Sequence, residues 1–138
     1  MANLNAYLTF DGTCAEAMRF YESVLGGKLE LMTMGESPMA DQVPPGAGDR
    51  IMHAKLETGD GSILMASDGM VGQQYHGMHG FGLSLSYGSV AEGQRIFDAL
   101  AAGGNVGMPF GKTFWAEGFG MVVDRFGTPW MVNVETKA

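Results

Sequence analysis

The chain has 138 residues, a length that suits one compact domain with a core of its own. Hydrophobic residues at 46% and charged residues at 17% are a globular balance, and a formal net charge of −7 argues against nucleic acid, whose phosphates call for a basic surface. No apolar run approaches the ~18 residues of a membrane span, no charged-then-apolar leader opens the chain, and a lone Cys14 leaves neither an internal disulfide nor a cysteine-cluster metal site, so a soluble cytoplasmic protein is expected.

The elements follow in order. Leu4–Phe10 alternates Leu4, Ala6, Leu8 and Phe10 and predicts a strand. The stretch Gly12–Gly27 opens on a capping box, Thr13-Cys14-Ala15-Glu16, and carries Ala17, Phe20, Tyr21, Val24 and Leu25 at the spacing of a helix lying on a core. Gly26 and Gly27 stop it. Lys28–Met34, Arg50–Glu57 and Ser62–Ser67 read as strands, the last two joined by the turn Gly59-Asp60-Gly61. Between the first two lies Gly35–Asp49, the longest irregular segment, of the length of a lid or binding loop. Asp68–Gly80, with "HGMHG" inside it, reads as an exposed connector.

The second half repeats the first. Phe81–Tyr87 alternates as a strand, and Gly88–Gly104 begins on a second capping box, Ser89-Val90-Ala91-Glu92. Gly93, Ile96, Phe97, Leu100 and Ala101 match the first helix's stripe at one constant offset, and Gly103-Gly104 ends it. Val106–Phe110, Phe114–Ala116, Gly120–Asp124 and Trp130–Glu135 are the remaining strand segments. The order is β-α-β-β-β twice: module one about 1–68, connector 69–80, module two about 81–138. One unit cannot bury both a helix stripe and a sheet, so two are expected to form a single α+β domain.

With "YLTFDGTCAEAMRFYESVLGG" (Tyr7–Gly27), "IMHAKL", "LMASD" and "FW…GFG…DRFGTPWMVN" (Phe114–Asn133), the chain resembles the vicinal oxygen chelate superfamily: glyoxalase I, bleomycin-resistance proteins and extradiol dioxygenases. Its PhnB-like branch is the nearer likeness. The resemblance covers nearly the whole chain and implies a curved mixed sheet with helices on its outer face, a cavity in the concave side, and a homodimer. In the superfamily's enzymes a divalent ion on strands one, four, five and eight chelates neighbouring substrate oxygens. Those strands here offer Asn5, Tyr7 and Thr9; Asp68 only at the end of the fourth; Ser84 and Ser86; and Met131 at the position that, counted from Asp124 and Gly127, a glutamate takes in the superfamily. These are poor ligands for a transition metal, and no metal residues are assigned. His76 and His79 have a ligand pair's spacing, but their glycines argue against a helix.

The expected function is the binding of a small apolar or aromatic molecule in the cavity, without the superfamily's metal. The alternative is a metal-dependent lyase, isomerase or dioxygenase with a non-standard ligand set. His53, mid-strand, is the candidate catalytic residue, able to act as general base near neutral pH, and the resemblance places a histidine there. Tyr7, His53, Ser67, Phe114 and Trp115 are the candidate ligand-binding residues. A methyltransferase designation used in this branch would call for a Gly-rich turn after the first parallel strand, where Asp11-Gly12-Thr13 stands instead. Cys14 reads as a small residue inside a capping box, and Asp124–Pro129 as a structural turn.

Overall fold

A computed structural model describes residues 2–136 and divides the chain into two compact units, Met1–Gly77 and Met78–Ala138. In the first unit, β1 (Ala6–Phe10) leads to α1 (Cys14–Leu25), then β2 (Lys28–Thr33), β3 (Ile51–Glu57) and β4 (Ile63–Asp68). The strands lie in the order β1-β4-β3-β2, with β1 parallel to β4 and the other pairs antiparallel. The parallel pairing follows from the connections: α1 carries the chain to β2 at the far edge, running in the same direction as β1, and two antiparallel steps, β2 to β3 and β3 to β4, bring it back beside β1.

The second unit repeats this plan with β5 (Leu83–Tyr87), α2 (Val90–Ala101), β6 (Asn105–Gly111), β7 (Ala116–Val123) and β8 (Pro129–Glu135), ordered β5-β8-β7-β6. The internal repeat and the α+β reading therefore stand, as two four-stranded mixed sheets, each with one helix.

Each helix covers one face of its sheet, and the period-two alternation of the strands sorts residues between that face and the other. In unit one, Leu8, Phe10, Ala54, Leu56, Leu64 and Ala66 are buried beneath α1, whose own buried side is Cys14, Ala17, Met18 and Tyr21. In unit two, Val122, Trp130, Val132 and Val134 meet Gly93, Ile96, Phe97 and Leu100 of α2.

Three details depart from the sequence expectation. The segments Phe114–Ala116 and Gly120–Asp124 are not separate strands: β7 runs unbroken from Ala116 to Val123. Its glycines, which read as punctuation, lie under side chains from elsewhere. A Cβ on Gly118 would meet Phe110 Cζ at 2.5 Å, and one on Gly120 would meet Phe97 Cε2 at 2.7 Å and Phe110 Cα at 2.9 Å. Second, the two capping boxes are not equivalent. Ser89 accepts from the Glu92 N–H at 3.2 Å, but the Thr13 side chain makes no capping hydrogen bond. Third, Gly35–Asp49 is tied at its base by Met34 N–H to Arg50 O and Gly35 N–H to Gly48 O, extending the β2–β3 hairpin before a single 3-10 turn at Ala40–Gln42.

Candidate functional site

Asp68 supplies what Thr13 does not. It ends β4 on the helix-covered side, and its buried carboxylate accepts from Gly12 N–H at 2.7 Å, Cys14 N–H at 3.0 Å and Ile51 N–H at 2.8 Å. The carboxylate thus caps α1 from another strand, where the helix's exposed N–H groups and partial positive charge favour an anion. Arg50 closes the same corner, pairing with Asp11 at 2.9 Å and donating to Gly69 O. Cys14 lies inside it, fully buried; desolvation, with the charge of Asp68 added, pushes its thiol up to about 12. This is an inert thiol, and the whole corner is architecture.

The candidate residues of unit one fall on the opposite, uncovered face of its sheet. Register places them in two rows across the four strands. One row is Tyr7, Met65, Lys55 and Glu30, paired in succession. The other is Thr9 beside Ser67, and His53 beside Met32; Ser67 stands one step past the Ala54–Ala66 pair and so neighbours His53. Tyr7 Oη and His53 Nδ1 approach to 3.5 Å, with ring centroids 5.9 Å apart. The structure thus brings together Tyr7, His53 and Ser67 of the five expected binding residues.

Phe114 and Trp115 belong to the second unit. Phe114 is 96% exposed and Trp115 47%, their rings edge-to-face at 4.8 Å, and Trp115 meets Phe119 at 5.5 Å. They stand at the start of β7. At its other end a cavity of about 290 Å3 opens, lined chiefly by Phe81, Val106, Met121, Val123, Trp130 and Met131. Neither Phe114 nor Trp115 lines it. In its wall Met121 and Met131 are directly paired, and Gly82, near the Met131 methyl, leaves room beside it; that pairing is a matter of register and leaves no mark in the sequence.

Trp130 is fixed by its neighbours. Asp124 accepts from the Trp130 indole N–H at 2.8 Å and from the N–H groups of Phe126 and Thr128 at 2.8 and 3.1 Å, while Gly127 turns the chain at φ 91°. The Asp124–Pro129 turn is therefore structural, and it also holds one wall of the cavity.

The uncovered-face positions of β1, β4, β5 and β8 include Tyr7 and Thr9, Met65 and Ser67, Ser84 and Ser86, and Met131, Asn133 and the exposed Glu135 at the end of β8. Apart from Glu135, these hydroxyls, thioethers and an amide do not fit a borderline divalent ion, which prefers imidazole, thiolate or carboxylate. Among the described residues no group of three or more His, Cys, Asp or Glu is placed to hold a metal ion.

A family model, "Glyoxalase/Bleomycin resistance protein/Dioxygenase superfamily", matches residues 3–132, and the chain belongs to that superfamily. It is 41% identical to Protein YjdN of Escherichia coli (strain K12), covering 95% of this chain and 94% of that one. It is 47% identical to the crystal structure of protein PA1353 from Pseudomonas aeruginosa, with a TM-score of 0.90 over 99% of this chain and 100% of that one. A Bacillus cereus structure described as a putative 3-demethylubiquinone-9 3-methyltransferase, PhnB protein, is 25% identical at a TM-score of 0.78, covering 96% of this chain and 99% of that one. The PhnB-like resemblance is thus met among solved structures.

Proposed function

We propose that this protein binds a small apolar or aromatic molecule and does so without the superfamily's divalent ion. The observation that carries the reading is the cavity of about 290 Å3 between β6, β7 and β8, walled by Phe81, Val106, Met121, Trp130 and Met131. Its volume lies at the lower end of small-molecule sites, and methionine walls adapt to ligand shape. Met131 bears on the metal: a thioether stands where the superfamily's glutamate is expected, so the position favours apolar contact over coordination. We read the protein further as a cytoplasmic homodimer, supported by the exposed Val106, Met108, Phe114 and Trp115 of the second unit.

The methyltransferase description of the Bacillus relative does not transfer well. The N–H groups of Gly12 and Cys14, which a cofactor-binding turn after β1 would present to its ligand, already bind Asp68.

The test is titration with a neutral aromatic, 2-naphthamide, followed by tryptophan fluorescence in a Trp115→Phe background and by thermal shift, alongside metal analysis of protein purified without chelators. Saturable binding with less than a tenth of an equivalent of metal is expected, on the order of tenfold weaker in Val106→Asp, because a charge at the cavity wall must be desolvated. Stoichiometric zinc, nickel, manganese or iron, or no binding at all, would overturn the reading.

A further inference from the structure

The uncovered face of the first unit is rich in donors that find few partners among the described residues. Among the described residues, the Thr9 and Ser67 hydroxyls make no hydrogen bond and Lys55 is in no ion pair, although Glu30 stands opposite it. Tyr7 and His53 approach each other at 3.5 Å, at the outer limit of a hydrogen bond. In a chain of net charge −7, these neighbouring positions carry one ammonium, one imidazole and three hydroxyls, against one carboxylate on the outermost strand. Such a set complements an acceptor-only group, and charge-assisted hydrogen bonds to an anion are roughly twice as strong as neutral ones.

We propose that this face recognises the carboxylate of a small organic acid, with Tyr7, His53, Ser67 and Lys55 as its donors. The proposal goes beyond the small-molecule reading above: it concerns a second site, within the first unit, where Met32 and Met65 supply apolar surface beside the donors. A carboxylate, rather than a phosphate, fits the chemistry: the set offers one ammonium, which balances the single charge of a carboxylate but not the nearly double charge of a phosphate monoester.

The test compares 2-naphthoate with its neutral isostere 2-naphthamide and with 2-naphthyl phosphate, at one pH and ionic strength, by calorimetry and amide NMR mapping. Naphthoate is expected to bind at least about tenfold more tightly than naphthamide and to shift the amides of residues 7, 53, 55 and 67. Tyr7→Phe, His53→Gln and Lys55→Met are each expected to weaken naphthoate while leaving the unfolding midpoint, and naphthamide in the second unit's cavity, unchanged. Equal affinity for acid and amide overturns this proposal and leaves the small-molecule reading standing. A preference that survives all three substitutions, or stronger binding of the phosphate, also overturns it. Binding of neither acid nor amide overturns both readings together.

Discussion

Gly118 and Gly120 show how much a single missing side chain can decide. On the sequence they look like breaks in a strand, yet each is an empty place on the covered face of β7 that a ring from elsewhere fills. The two differ in what they touch. Gly118 faces the far end of the Phe110 ring, which can swing, whereas Gly120 faces the Phe110 Cα, which cannot. Gly118→Ala is expected to cost about 1–3 kcal/mol, recovered in large part by adding Phe110→Leu, and Gly120→Ala to cost more with little recovery. Urea denaturation of the single and double variants checks this. Cys14 gives a second expectation. Above pH 9 its thiol ionises in the unfolded chain but keeps its proton when folded, up to about 12. Unfolding then releases a proton, so stability falls as pH rises through that window, by at most about 1.4 kcal/mol per pH unit from this group. Tyr75, raised by burial and then by the charges of Asp11 and Asp68, adds a loss of the same sign above pH 10. Cys14→Ala should remove the Cys14 share of the slope and leave that of Tyr75, measured as unfolding midpoints between pH 8 and 11.

At the scale of elements, α1 and α2 carry the same stripe and the same capping signature but begin differently. Ser89 caps α2 from within its own segment, so Ser89→Ala should cost about 1 kcal/mol. Thr13→Ala should cost under about 0.5 kcal/mol, because its hydroxyl caps nothing. Asp68→Ala strips acceptors from the N–H groups of Gly12, Cys14 and Ile51 and should destabilise by about 2–4 kcal/mol. Equilibrium denaturation of the three variants would separate a local cap from a long-range one. A capping box is a local pattern, and a carboxylate some 55 positions away competes for the same N–H groups without leaving any local mark. That is why the two helices looked alike in sequence.

At the scale of the whole molecule, the repeat, the modules' β-α-β-β-β order and the superfamily were legible, because they rest on periodicity and turn chemistry written along the chain. The proposed homodimer belongs to this scale too. Sedimentation velocity is expected to give twice the chain mass, reverting toward the monomer when Trp115→Asp places a charge among the exposed aromatics; a monomer in the parent protein would end that reading. The candidate site was legible in part. Alternation put Tyr7, His53 and Ser67 on one side of their strands, but only register brings them together.

The sequence by itself determined most of the segments that become strands and helices and that they come twice, and the superfamily resemblance added that Met131 stands where a metal-binding glutamate is expected. Those are properties of short windows, where a side chain's period sets its face. Only the tertiary structure decided that Asp68 caps a helix from the end of β4, that Phe114 and Trp115 stand away from the cavity beside Met131, and that unspent donors gather across three strands. Each of these depends on which strand lies beside which, and hydrogen-bond register between distant segments is set by packing, not by neighbours in the chain.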